Sequence, residues 1–291
     1  MGKTLFLANL FYLLAASTAT AQDTRNTSVP VGIVDHPCPP AISMPAGAAE
    51  LLSALFMEPR TLSAEDFAQL NTNKAFADYL AAVNANTIQD WPGLCRFRAD
   101  NDAVISAGVK PRLVFMGDSI TENWLLGDPD LFGTDMVNRG ISAQTTPQML
   151  LRFRNDVVDL NPEVVHILAG TNDIAGNTGP IRAEDFKNNI RSMVELAKAN
   201  GIQVILGSIP PAASFSWQPA VNPVPRVREL NGWLQNFAAE KDLAYIDYFA
   251  ALSGPGAELR SELGNDGVHP NRDGYVIMRQ LLEAQLAAMA N

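Results

Sequence analysis

From position 112 onward the chain alternates between two rhythms. Short runs of consecutive apolar residues, each closed by glycine or a polar cluster, give way to longer stretches in which apolar residues recur at three- and four-residue spacing. The first rhythm predicts buried strands and the second amphipathic helices. Five runs read as strands, at 113–116, 135–138, 164–168, 203–207 and 244–247, most of them rich in Val, Ile or Leu, as strands covered on both faces are. Between them, Met149, Phe153, Val157 and Leu160 share one helical face behind Thr146-Pro147, a cap followed by a first-turn proline. Phe186, Ile190, Met193, Val194 and Ala197 form a second stripe closed by Asn200-Gly201, and residues 225–241 and 273–289 supply two more helices. Such alternation predicts an α/β fold, a three-layer doubly wound sheet of about five parallel strands.

The pattern before position 112 is different. Leu51, Leu55 and Phe56, then Phe67, Leu70, Phe76 and Leu80, recur at mostly helical spacing between residues 48 and 109. Residues 22–42 carry Pro30, Pro37, Pro39 and Pro40 with little periodicity and read as an extended arm. At the start, Lys3 precedes an apolar run at 5–14 and a small-residue stretch ending Ala19-Thr20-Ala21, the pattern of a signal peptide cleaved near Ala21. The run is interrupted by Asn9 and falls short of the roughly 20 apolar residues that span a bilayer, so a secreted or periplasmic protein without integral membrane association is expected. No cysteine stands near the cleavage point to carry a lipid anchor. The expected organisation is a signal peptide at 1–21, an extended arm and helical extension at 22–110, and one α/β domain at 111–291.

Charge narrows the partners. The 291-residue chain has a net charge of −10, and removal of residues 1–21, with one lysine and no acid, makes it −11. A surface of that sign repels phosphate backbones and anionic lipid, which argues against nucleic acid as a partner. Cys38 and Cys95 are the two cysteines. In an oxidising compartment they can close a loop worth about 4 kcal/mol by chain entropy, and two separate buried thiols are the alternative.

In a doubly wound sheet, ligands sit beyond the carboxyl ends of the strands, so the residues after each strand are the candidates for chemistry. After the first comes Gly117-Asp118-Ser119-Ile120, a hydroxyl at a strand-to-helix turn; alone, such a serine is as readily a helix cap. After the second comes Asn138-Arg139-Gly140-Ile141-Ser142, whose glycine permits close backbone approach. After the third comes Gly170-Thr171-Asn172-Asp173, with a carboxamide donor and a carboxylate able to hold the loop. Near the end, Asp266-Gly267-Val268-His269-Pro270 puts a carboxylate three residues before an imidazole, where it can accept the Nδ1 proton and leave Nε2 as a base. Serine, base, orienting acid and oxyanion donors are the parts acyl transfer requires.

These four segments, in this order, resemble the blocks of the SGNH hydrolases, also called the GDSL esterase family, over roughly residues 111–289. The four letters correspond to Ser119, Gly140, Asn172 and His269, and Ile120 stands where the name motif has leucine. The resemblance implies the SGNH hydrolase fold, a flavodoxin-like sheet, and a catalytic set in which Ser119 is the nucleophile, His269 the base and Asp266 its partner. It also implies an oxyanion hole made by Ser119, Gly140 and Asn172. No cofactor or metal is implied. With three histidines in the chain there is no His-Glu-x-x-His, and no Cys-x-x-Cys, Walker loop, dinucleotide fingerprint or Gly-x-Ser-x-Gly elbow is present.

Family members act on acetylated sugars, aryl esters, lysophospholipids and thioesters with one catalytic set. Export and acidity favour short acyl esters such as O-acetylated carbohydrate. A lysophospholipase or thioesterase, an O-acyltransferase and a non-catalytic carbohydrate-binding protein are the alternatives, and nothing in the sequence speaks to oligomeric state. Three further positions are left open. His166, inside a strand, reads as a hydrogen-bonded core residue; Arg139 and Gln144 fit substrate contact and solvated surface equally; the 210–225 loop, with Phe215 and Trp217, is expected to rim the site.

Overall fold

The computed structural model describes residues 32–39, 42–60 and 62–290. The expected signal peptide at 1–21, and most of the arm up to residue 31, lie outside the described residues. Four helices come first: α1 (Ala46–Leu52), running into a π-helical turn at Ser53–Met57, then α2 (Ala64–Thr72), α3 (Lys74–Gln89) and α4 (Arg98–Ser106). Ser63 caps α2 by accepting from the Asp66 N–H, while the Ser63 N–H donates back to the Asp66 carboxylate. Cys38 and Cys95 are joined by a disulfide, with their Cα atoms 5.4 Å apart.

Then strands and helices alternate: β1 (Leu113–Gly117), α5 (Ser119–Gly127), β2 (Met136–Gly140), α6 (Thr146–Asp156), β3 (Val164–Leu168), α7 (Thr171–Ala175), α8 (Ala183–Ala199), β4 (Gln203–Gly207), α9 (Val224–Lys241), β5 (Ala244–Ile246), α10 (Tyr248–Leu252) and α11 (Arg272–Met289). All pairings are parallel and the order is β2-β1-β3-β4-β5, so the five-stranded doubly wound α/β fold expected from the alternation is the fold observed. The order reverses between β1 and β3, which opens a crevice at their carboxyl ends.

Period-two alternation sorts the strand residues into two cores. Val114, Met116, Val137, Val165, Ile167, Val204 and Leu206 pack under α6, α8 and α9. Leu113, Phe115, Met136, Val164, Leu168 and Ile205 face α5, α10 and α11, and this second core is extended by Leu55, Phe56, Met57, Leu70 and Phe76 of the N-terminal helices. His166 lies on that second face, buried, with Nε2 3.0 Å from the Tyr248 hydroxyl. Burial drives its pKa down to about 3, so it is a neutral core residue, as its strand position suggests.

Two helix boundaries differ from expectation. The stripe from Met149 to Leu160 is not one helix: α6 ends at Asp156 and a 3-10 turn at Val158–Leu160 follows, closed by Asn161 in the left-handed conformation. The cap of α6 is Thr145, one residue before the expected Thr146, and its N–H donates to the Gln148 carboxamide at 3.0 Å. Among the described residues no helix is long and apolar enough to cross a membrane.

Candidate active site

Ser119 is the first residue of α5, where backbone N–H groups have no acceptor within the helix. Asp118 caps that helix, its Oδ1 accepting from the Ile120 N–H at 2.9 Å, and this fixes the turn between β1 and α5. The Asp266–His269 loop arrives from the other end of the sequence. Ser119 Oγ stands 2.8 Å from His269 Nε2, across 150 positions of sequence, and His269 Nδ1 stands 2.7 Å from Asp266 Oδ2. The other Asp266 oxygen accepts from the Val268 and His269 N–H groups, so the carboxylate is held by its own turn.

Electrostatics agree with that arrangement. Burial alone would raise the Asp266 pKa, but His269, through its charge and hydrogen bonds, holds it below the ordinary carboxylate value. Burial likewise works against the His269 imidazolium, yet Asp266, aided by the more distant charge of Asp118, holds its pKa above the ordinary histidine value. Asp118 and Asp173, buried beside the site, are pushed up to about 6, chiefly by burial.

Asn172, in the first turn of α7, sits 3% exposed. Its Nδ2 donates to the Gln144 carbonyl at 3.1 Å and, at a long 3.3 Å, to Asp118 Oδ2. Its Oδ1 accepts from Asn177 Nδ2 at 2.7 Å. Gly140 ends β2 with a different task from a bare donor. A Cβ there would fall 2.3 Å from the Glu122 backbone nitrogen, so the missing side chain is what lets α5 lie against β2, and the Gly140 N–H donates to Asn138 Oδ1 at 2.9 Å. Ser119, Gly140, Asn172, Asp266 and His269 therefore meet at one edge of the sheet, with the Gly140 N–H engaged by a neighbouring side chain.

Several residues near the site differ from the sequence reading. Arg139 and Gln144 are 4% exposed, so solvation does not explain either. The Arg139 guanidinium lies 4.7 Å over the Phe97 ring and its Nε donates to Asn101 in α4. Asp173 holds more than its own loop, accepting from the Thr146 N–H and hydroxyl at the start of α6. The 210–225 loop does lie beside the site, yet Phe215 and Trp217 point inward, packing with Ala212, Ala175 and Val268 next to His269. Trp217 Nε1 donates to Asn177, the residue that holds Asn172.

Arg152 was not anticipated. It is 0% exposed and donates to the Gln144 side chain, the Arg139 and Gly117 carbonyls and the Asp156 carboxylate. The signal for it was an arginine one turn from Met149 on the apolar face of a helix, with an aspartate four residues on. Among the described residues no three His, Cys, Asp or Glu converge as a metal site.

Comparison with known proteins fits this geometry. The family model described as GDSL-like Lipase/Acylhydrolase matches residues 115–277. A solved structure of a GDSL-like lipase from Bacteroides thetaiotaomicron is 40% identical with a TM-score of 0.63, over 68% of this chain and 98% of that one. A Bacteroides fragilis structure assigned as an acylhydrolase is also 40% identical, with a TM-score of 0.66, over 69% of this chain and 99% of that one. Among curated proteins, the uncharacterized lipoprotein YqeF of Bacillus subtilis is 32% identical over 124 residues, 35% of this chain; the chain spans 51% of that protein's length. By its sheet, its four ordered motifs and these matches, the chain belongs to the GDSL-like lipase/acylhydrolase family of ester hydrolases.

Proposed function

We propose that this protein hydrolyses carboxylic esters through an acyl-enzyme on Ser119. The observation that carries the reading is the continuous line of contacts from Ser119 Oγ to His269 to Asp266, at 2.8 and 2.7 Å. The Ser119 oxygen bonds to the ester carbonyl carbon as its proton passes to His269 Nε2. The tetrahedral adduct collapses, the carbon–oxygen bond to the alcohol breaks, and the leaving alkoxide takes that proton. Water, deprotonated by His269, then attacks the acyl carbon; the bond from that carbon to Ser119 Oγ breaks, Oγ takes the proton back from His269, and the acid leaves. Asp266 keeps Nδ1 protonated and supports the imidazolium.

The oxyanion is received by the Ser119 N–H, the Gly140 N–H and Asn172 Nδ2. In the resting arrangement the Asn172 bond to Asp118 is the long one, and it is the contact that a substrate oxygen would replace. Gly140 would likewise exchange or share its bond to Asn138.

Short acyl groups, such as acetyl esters on carbohydrate, are the substrate class proposed, because a strongly acidic surface is ill suited to anionic lipid interfaces. We further infer that residues 1–21 are an export signal, that residues 22–110 form an extension and that residues 111–291 are the hydrolase domain. A disulfide between Cys38 and Cys95 suits a secreted or periplasmic location. An active-site phosphonate tests the nucleophile: it should label the wild type and leave Ser119→Ala unlabelled, and labelling of the variant would refute the assignment. A panel of acetylated glycans against lysophospholipids tests the substrate class, and preference for the long-chain lipid would overturn it.

A further inference from the structure

Gln144 joins the candidate oxyanion donor to the N-terminal helices. It is 4% exposed and follows Ala143, which is held in the left-handed conformation at φ 66°. Its side chain is gripped at both ends: Oε1 accepts from Arg152 Nε at 2.6 Å, and Nε2 donates to the Pro92 carbonyl at 2.8 Å. Its own carbonyl accepts from Asn172 Nδ2. Clamping a side chain at two points restrains the backbone that carries it, and with it the carbonyl that accepts from the Asn172 amide.

Both grips come from groups that are themselves held by further bonds. Arg152 also binds the Gly117 carbonyl, two residues before Ser119. Pro92 belongs to a turn between α3 and α4 in which the Asp90 carboxylate accepts from the Leu94 and Cys95 N–H groups, and Cys95 is tied to Cys38. The same turn reaches α6 through Gln148 Nε2, which donates to the Trp91 carbonyl at 2.8 Å. Nearby, Arg96 pairs with Glu122, whose other oxygen accepts from the Ser142 N–H and hydroxyl.

We propose that Gln144 is a positioning residue, through which the turn between α3 and α4 holds the Asn172 carboxamide in the orientation that receives the oxyanion. The turn between α3 and α4 thereby supports a site whose four motifs all lie after position 116. The inference rests on the reading of Asn172 as an oxyanion donor.

The experiment is a double-mutant cycle on p-nitrophenyl acetate with the full-length disulfide-bonded protein. Gln144→Met should lower kcat about tenfold, the scale on which small misplacements of a reacting group tell, with KM changed less than about twofold. In an Asn172→Ala background the same substitution should cost almost nothing more, because the group it positions is gone. Equal losses in both backgrounds, or none in the wild type, would overturn the proposal while leaving Asn172 in place. An Asn172→Ala enzyme with unchanged turnover would instead remove the oxyanion reading, and this proposal with it. Gln144→Glu keeps the acceptor for Arg152 and, once ionised beside that guanidinium, turns the Pro92 contact from attraction to repulsion between two oxygens, so it serves if the methionine variant does not fold. A several-fold fall in kcat is expected from it, and wild-type kcat would show that the turn has no hold on the site.

Discussion

The two ends of the same sheet handle polar groups in opposite ways. At the amino ends of β1 and β2 lies a cleft of about 700 Å³ lined by Arg112, Phe132, Asp135, Met136, Arg279 and Leu286 among others. Its charges face water: Arg112 pairs with Asp135 with side chains 45% and 64% exposed, and Arg279 reaches Asp128 and Glu283 from a partly exposed position. At the carboxyl ends, Ser119, Asn172, His269, Asp118, Asp173, Arg152 and Asp156 are each at most 6% exposed, with Ser119 against His269, Asn172 against Asp118, Arg152 against Asp156 and the Gly117 carbonyl, and Asp173 against Thr146 of α6. The proposed chemistry does not lie in that cleft. It is proposed where buried polar groups converge, because only out of water are such contacts strong enough to hold a reacting geometry and costly enough to break.

That contrast can be broken in order of expected effect. Ser119→Ala should lower turnover by about 10⁵ to 10⁶, the scale seen when a nucleophile is removed from a catalytic unit, and a small loss in a steady-state assay would place the chemistry elsewhere. Asp156→Ala strands Arg152 as an uncompensated buried charge and should cost about 3–5 kcal/mol in urea unfolding. A cost below about 1 kcal/mol would mean that the buried network is no stronger than a surface pair.

Next comes pH. His269 must be neutral to accept the Ser119 proton, and its pKa is raised, so kcat/KM should fall as pH drops through an apparent value above the ordinary histidine figure of about 6.5. Asp266→Asn removes the carboxylate that raises it and should move the midpoint to lower pH while reducing kcat; an unmoved midpoint would assign the titration to another group. The smallest effect belongs to the amino end, where Arg112→Ala should change stability by no more than about 1 kcal/mol and leave turnover alone.

The elements of the α/β half were legible because strand and helix periods are written in near neighbours. Gly117 to Ile120 and Asp266 to Pro270 were legible too, since each is a compact cluster. Arg152 was not, because an arginine on an apolar stripe declares itself only when the Gly117, Arg139, Asp156 and Gln144 acceptors are known to converge on it. Arg139 and Gln144 stayed open between substrate contact and solvated surface for the same reason: their neighbours are Phe97, Asn101 and Pro92, some forty to fifty positions upstream.

Sequence alone determined the succession of strands and helices along the chain and the local pairing of Asp266 with His269, which depend on residues a few positions apart, and the family, which depends on four short motifs in a fixed order. Only the tertiary structure decided that Ser119 and His269 lie 2.8 Å from each other, that Gly140 admits the backbone of α5, and that the turn before α4 grips Gln144. The physical reason is that burial and hydrogen-bond partnership between distant segments are set by packing of the whole chain, and no local pattern records them.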